Sequence, residues 1–358
     1  MTDWRERPLD DLLAQHGLDG VPDAPFPTDG WSGATFRLLE RDGRRFVLKH
    51  SAASHDWIVR ATRDEGIREA WLAATLAADG DPGVATPYLG AAVTPDGGAA
   101  ILMRDLTDQL GAWRRQPGSG VLEPAEAAAL IERIAALHAS TWSDAVVTAT
   151  VRSGGTPPWC PLPERLTLLT PRSAAGYAAD GNPVGEIFLR GWAGFERFAP
   201  PAAVALVDRL GRDPSPLVAA LAALPSVGLH GDIKLANVAR LDDDRVAWID
   251  WQMTLRAPVA VELGWCIVTN SAELPFTPDE VMARYRASAE SAGADDAERR
   301  LGDWDVQCDL AWVVGLLLRG WRKGADTAAG LTLGSGVAAG DDLAWWAERA
   351  VAAAGRRL

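Results

Sequence analysis

The sequence predicts an α+β protein: a small N-terminal antiparallel sheet with one helix, then a larger, mainly helical C-terminal lobe. Three observations carry this. Short β-rich runs, separated by glycine and proline turns, fill the first hundred residues. Helical periodicity dominates from Leu106 onward. Between 226 and 256 that periodicity gives way to two loops around one short strand. At 358 residues, 48% of them hydrophobic, the chain can form a sizeable core in one large or two ordinary domains. The expected boundary gives an N-terminal lobe of 1–104 and a helical lobe of 105–358.

In chain order, residues 34–40 and 44–50 are expected as a hairpin about Asp42-Gly43, with Val47 and Leu48 in its second strand. Residues 63–78 have helical character and end before Gly80 and Pro82. Residues 88–93 and 99–104 form two strands joined by the turn cluster Pro95-Asp96-Gly97-Gly98. Residues 124–142 set Leu130, Ile134 and Leu137 at helical spacing. The glycine- and proline-rich stretch 152–182 reads as an irregular insertion. Helices are expected at 183–197 and 202–223, a strand at 246–249, and helices at 259–272, 278–291, 296–323 and 340–355.

The net charge of −13 argues against a nucleic-acid partner, which would need a basic stripe to replace phosphate counterions. Cys160, Cys266 and Cys308 show neither a disulfide framework nor zinc spacing, which fits a reducing cytoplasm. The first residues lack the apolar segment of a signal peptide. The longest apolar run, 310–318, falls well short of the roughly 18 residues of a membrane span. Neither nucleic acid nor membrane is an expected partner, and oligomeric state leaves no mark in the sequence.

The informative segments are His230-Gly231-Asp232-Ile233-Lys234-Leu235-Ala236-Asn237 and Trp248-Ile249-Asp250-Trp251. Together they set a carboxylate, a lysine, an amide and a second carboxylate at a spacing suited to a nucleoside triphosphate and its Mg2+. Phosphoryl transfer asks the protein for alignment and electrostatic stabilisation rather than covalent work. Asp232 can accept or orient a hydroxyl proton, a contribution of roughly 10²–10⁴-fold. Asn237 and Asp250 offer the hard oxygens that magnesium prefers. Lys234 can reach a transferred phosphate as a point charge.

This pattern resembles the aminoglycoside phosphotransferase family of small-molecule kinases, which has the bilobal protein-kinase-like fold. The resemblance implies Asp232 as catalytic base and Asn237 with Asp250 as magnesium ligands. It extends over nearly the whole chain in motif order, and its specific part is 230–250. Asp29-Gly30-Trp31-Ser32-Gly33-Ala34-Thr35 precedes a strand as a phosphate-covering loop should, with Gly30, Ser32, Gly33 and Thr35 as its expected contacts. Lys49 resembles the lysine that pairs with the α- and β-phosphates. Its helix carboxylate could be Glu65 or Glu69, which lie four apart; the family pattern favours Glu69. Met103, Arg104 and Leu106 fall at the interlobe hinge, where main-chain groups of Arg104 and Leu106 would bind a purine, in ATP or GTP. His138 reads as a structural histidine. Glu262 stands where the family usually has an aspartate that braces the catalytic loop.

The resemblance points to a small acceptor. Glu262 follows Asp250 by twelve positions, too few for a peptide-docking activation segment. Gly231 stands where protein kinases usually carry an arginine, and Trp251-Gln252 replaces Phe-Gly. Of the sixteen tryptophans, Trp248, Trp251, Trp265, Trp304, Trp312 and Trp321 could line an acceptor pocket, although any one of them is more readily a core residue. Asp303, Asp305 and Asp309 could meet an amine or form a solvated face. The expected activity is Mg-dependent transfer of a γ-phosphoryl group to a hydroxyl of a small molecule. An antibiotic acceptor, with resistance as the outcome, is what the family implies. A metabolic sugar or amino-sugar kinase and a non-catalytic nucleotide-binding scaffold are the alternatives.

Overall fold

A computed structural model describes every residue except 1–2, 28–29, 79–83, 153–158, 242–244 and 292. Asp29 of the expected phosphate loop, the expected helix stop at Gly80 and Pro82, and part of the expected insertion lie outside the described residues. The chain divides by contact into two compact units, each assembled from several stretches. One comprises residues 1–112, 140–160 and 236–255, and the other 113–139, 161–235 and 256–358.

The first unit is built on a five-stranded sheet of β1 (Asp23–Pro25), β2 (Thr35–Arg41), β3 (Arg44–Ser51), β4 (Tyr88–Val93) and β5 (Ala99–Arg104). All neighbours are antiparallel, in the order β1-β2-β3-β5-β4. Asp42 and Gly43 both take positive φ, which is the primed hairpin turn matched to strand twist. That turn fixes the β2–β3 register, so Lys49 stands opposite Phe36 and Ile101. One face of the sheet closes over Leu12, Leu18, Leu39, Leu48, Ala92, Ala100 and Leu102. The helix Arg68–Ala78 packs along β4 and buries Trp71, Leu72 and Leu76.

That helix starts five residues later than expected. Arg63 and Ile67 take positive φ, which no helix tolerates, and the Asp64 carboxylate caps the Arg68 N–H at 2.9 Å. Glu65 is therefore exposed in the preceding turn and shares no helix face with Glu69. The strand β1 and the helices Leu9–Gln15 and Trp57–Ala61 are additional to the expected elements.

The second unit is helical. Its axis is the helix Trp304–Ala328, packed by Pro183–Phe198, Val259–Thr269 and Ala339–Arg357. The expected helix 296–323 is two helices, because Gly302 takes a left-handed turn between Ala294–Leu301 and Asp303, which caps the next helix. The expected helix 202–223 likewise breaks at Asp213-Pro214. Within the expected insertion, Leu162–Thr167 and Pro171–Ala179 are helices, started by prolines at their first turns.

Backbones within this unit approach closely. A Cβ on Gly264 would stand 2.5 Å from the Ala311 carbonyl, and one on Gly315 would stand 2.5 Å from the Trp346 ring. Trp346 is fully buried and donates its indole N–H to the Trp312 carbonyl at 2.8 Å, so it cannot easily yield. Gly315→Ala should therefore destabilise the protein by about 1–3 kcal/mol despite the better helix propensity of alanine. Gly355 has open space around its Cβ position, so Gly355→Ala should leave stability unchanged or raise it. Thermal melts of the two variants beside the parent check the contrast.

Candidate active site

The sequence-predicted residues fall into two clusters, one in each unit. In the first unit, Lys49 projects from β3 and is buried. Its Nζ donates to Glu69 Oε2 at 2.6 Å and to Asp250 Oδ1 at 2.7 Å. Tyr88 donates its hydroxyl to the other Glu69 oxygen at 2.7 Å. Burial alone would pull the lysine down and push the glutamate up. For Lys49 the two carboxylates overcome burial and hold the ammonium well above its usual range. For Glu69 burial wins, with the Lys49 charge opposing, and the carboxyl stays above its usual range. The geometry thus selects Glu69 over Glu65.

Asp250 is placed by a hairpin. Val238–Arg240 pairs antiparallel with Val246–Trp248, and Ile249 donates its N–H to the Asn237 carbonyl at 3.1 Å. Asn237 and Asp250 thus lie at adjoining ends of one hairpin, although they are thirteen positions apart in sequence. Asp250 takes the left-handed conformation, which aspartate adopts more readily than most residues. The turn after it is tied down. Trp251 donates its indole N–H to the Trp248 carbonyl at 3.0 Å, and Gln252 Nε2 donates to Asp56 at 2.6 Å. Arg68 donates to the Gln252 carbonyl at 2.9 Å.

The loop before β2 folds back on the turn at His55–Trp57. Trp57 donates its N–H to the Ser32 carbonyl at 2.9 Å, and Ser32 Oγ accepts from the Ala34 N–H at 3.2 Å. Gly33 has a φ of 91°, and a Cβ there would strike the His55 carbonyl, so only glycine fits. Gly30 precedes this turn and Thr35 opens β2 opposite His50. At the end of β5, Met103 is buried beside Val47 and Tyr88, and Arg104 donates its N–H to the Pro87 carbonyl at 3.0 Å. Leu106 precedes a one-turn helix, and among the described residues its N–H meets no acceptor.

In the second unit, the loop 230–235 is held by three side chains. Glu262 is fully buried and accepts from the N–H of His230 at 2.8 Å and of Gly231 at 2.7 Å. His138 Nε2 lies 3.1 Å from the same carboxylate, and His138 Nδ1 lies 2.8 Å from the Tyr285 hydroxyl. Asn270 accepts from the Leu235 N–H at 2.8 Å and donates to the Ile233 carbonyl at 3.2 Å. Arg165 donates to the Gly231 carbonyl at 2.7 Å. Within this frame the Asp232 side chain is partly accessible, 3.3 Å from Lys234 Nζ.

Arg165, Asn270 and Tyr285 were not singled out in the sequence. Asn270 caps the helix Val259–Thr269, and nothing local marks it as a clamp. Trp248, Trp251, Trp265, Trp312 and Trp321 are all buried, and Trp304 stacks on Tyr285 with an interplanar angle of 10°. Asp303 caps its helix, and Asp309 is paired with Arg356 and Arg357, so neither stands open for an amine. Asp305 is exposed.

Solved structures share this fold. A candidate aminoglycoside phosphotransferase from Ralstonia eutropha JMP134 is 17% identical and superposes with a TM-score of 0.54, over 98% of each chain. Choline kinase LicA from Streptococcus pneumoniae is 10% identical with a TM-score of 0.50, over 96% of this chain and 97% of its own. The fold is the protein-kinase-like one, with an antiparallel sheet and a mostly helical remainder. The sequence profile of the phosphotransferase enzyme family matches residues 23–304, and the chain belongs to that family. It is thus an enzyme, a phosphotransferase of the small-molecule O-kinase kind. No curated protein sequence matches it.

Glu262 sets a pH dependence. Burial would raise its carboxyl, but the hydrogen bond and charge of His138, the charge of His230 and the Gly231 N–H hold it below its ordinary value of 4.5. A carboxyl depressed by folding adds stability that is present above the unfolded value and is lost as pH falls through the folded one. The wild type should therefore lose stability below about pH 4.5 relative to Glu262→Gln. Near neutrality Glu262→Ala should cost about 1–3 kcal/mol for each buried N–H left without a partner. Melting temperatures of the three proteins between pH 7 and pH 3 test this.

Proposed function

We propose that the enzyme transfers the γ-phosphoryl group of ATP or GTP, with Mg2+, to a hydroxyl of a small molecule. The observation that carries this is the buried Lys49 held between Glu69 and Asp250. A buried lysine with a perturbed titration beside two carboxylates is the kind of group that functional sites gather. In this reading Lys49 pairs with nucleotide phosphates and Glu69 holds its ammonium in position. The loop of Gly30, Ser32, Gly33 and Thr35 covers the phosphates, and Met103, Arg104 and Leu106 frame the purine, with the Leu106 N–H available to a ring nitrogen.

Asp232 takes the role of base. It accepts the proton of the acceptor hydroxyl as its oxygen attacks the γ-phosphorus, while the bond to the β-bridging oxygen breaks and the nucleoside diphosphate leaves. Lys234, 3.3 Å from Asp232, would follow the charge that moves with the phosphoryl group. Asn237 and Asp250 fit magnesium by their hard oxygens and by their shared hairpin. Among the described residues no cluster of three or more acidic, histidine or cysteine side chains could hold a metal alone. Magnesium is commonly bound by one or two protein side chains together with substrate phosphates. Magnesium there would neutralise phosphate charge.

A hydroxyl-bearing antibiotic, an aminoglycoside, nucleoside or other, is the acceptor the family suggests, with resistance as the outcome; a metabolic sugar or amino-sugar kinase is the alternative. The three free thiols fit a cytoplasmic enzyme, and no described helix is long and apolar enough to cross a membrane. In a coupled nucleotide-consumption assay across hydroxylated acceptors, Asp232→Asn should lower kcat roughly 10²–10⁴-fold while nucleotide affinity holds. Lys49→Met should lower kcat/KM for the nucleotide by roughly 10²–10³-fold. Activity should vanish with chelation and return with magnesium. Full turnover in Asp232→Asn would remove Asp232 from the role of base, and no stimulation by any acceptor would leave the scaffold reading in place of the transferase. A rise in drug tolerance on expression, lost in Asp232→Asn, separates the resistance role from the metabolic one.

A further inference from the structure

We propose that Arg319 recognises an oxyanion on the acceptor, so that the hydroxyl offered to Asp232 belongs to a hydroxylated carboxylate or phosphate ester rather than to a polycation. The proposal rests on the phosphotransferase reading of Asp232. It starts from a chain of contacts inside the helical unit. Arg165 bonds the Gly231 carbonyl, next to Asp232, and its guanidinium lies 4.3 Å from the centre of the Trp265 ring. Against the same ring, at 4.7 Å, lies Arg319 of the helix Trp304–Ala328, which also touches Trp321 at 4.9 Å. Two guanidiniums thus share one indole ring, whose π-face attracts both.

Arg319 has no carboxylate of its own. Among the described residues it forms neither an ion pair nor a hydrogen bond, and its Nε is buried without a partner. Arg322, one turn on, is paired with Asp326 at 2.9 Å. The charges that act on Arg319 are those of Arg322, Asp232, Arg165 and Asp326. Burial, with Arg322 and Arg165, pushes its guanidinium down to about 10, and Asp232 and Asp326 oppose this. It stays charged at neutral pH, half-buried and unneutralised.

Such a cation is costly unless something completes it. A guanidinium fork with its aromatic faces occupied has its donor edge left for a planar or tetrahedral oxyanion. A polycationic acceptor would meet the opposite: Arg165 bonded to the residue before Asp232, with Arg319 on the same ring. The acidic alternative lies elsewhere, since Asp309 is already paired and stands ten residues, about 15 Å, back along the same helix.

Two measurements test the site. The first uses inorganic sulfate as probe, with chloride at matched ionic strength as control. Its general stabilising effect is shared by every variant, whereas binding at Arg319 is not. Sulfate should raise the melting temperature of the wild type by about 2 °C or more beyond that of Arg319→Gln, with Arg319→Lys between them. Equal shifts in all three proteins would sink the proposal. The second measures magnesium- and nucleotide-dependent turnover of D-gluconate, D-glucose 6-phosphate, D-glucose and D-glucosamine, which share a skeleton and differ in charge. An anionic member should show a KM at least roughly tenfold below the neutral and amino sugars, a gap that Arg319→Gln closes with little change in kcat. Whichever anion is preferred tells carboxylate from phosphate ester. Preference for the amine would overturn the proposal, as would an anion preference that persists in Arg319→Gln. If none of the four is turned over, the sulfate comparison alone decides for or against the oxyanion site, and the role of Asp232 stands or falls on the Asp232→Asn assay.

Discussion

A single buried carboxylate organises the loop that carries Asp232. Glu262 sits in the interior of the helical unit, where an ionised group survives only if its lone pairs are filled. Two backbone N–H groups of the loop and one histidine nitrogen fill them. The arrangement works in both directions. The loop's amides satisfy the charge, and the charge fixes where the loop turns, and so where Asp232, the next residue, stands. Asn270 and Arg165 repeat the logic at the next carbonyls, each exchanging a side-chain group for a backbone one. Glutamate in place of the family's usual aspartate reaches one methylene further and still spans both amides.

The other unit reaches a comparable result by a different route. Lys49 is fixed by strand register, since the Asp42-Gly43 turn sets which residues of β3 face which way. Asp250 is fixed by a hairpin and a left-handed residue. Two elements distant in sequence thus deliver a cation and an anion to within hydrogen-bond reach. Tyr88 locks the second oxygen of Glu69, so that the glutamate offers Lys49 only one oxygen. Electrostatics here confirm what backbone geometry has already set up, rather than pulling flexible side chains together.

How much of this was legible in the chain depends on the kind of signal. Strands β2 to β5 were readable to within a residue, because alternating apolar runs flanked by Asp-Gly and Pro-Asp-Gly-Gly turns have local causes. Elements set by tertiary contact were not: β1 is three residues long and exists only as a partner of β2. The helix start at Arg68 was missed because residues 63–67 have helical composition and a non-helical backbone. In the site, Lys49 and Glu69 could be chosen by motif order, with periodicity undecided between Glu65 and Glu69 until the turn at Asp64 separated them. Asn270, Arg165 and Arg319 carry no motif at all; each acts through a neighbour that only folding supplies.

The turn after Asp250 has a consequence for regulation. Gln252 is bonded through its side chain to Asp56 and through its carbonyl to Arg68, and Trp251 is sealed beneath Trp142 at a ring distance of 4.8 Å. Switching enzymes depend on a segment with two seats of similar free energy. This one has a single seat, secured at the backbone and at two side chains. Releasing that stretch would mean breaking the Gln252, Arg68 and Trp251 contacts together, which sets it apart from a segment poised to switch.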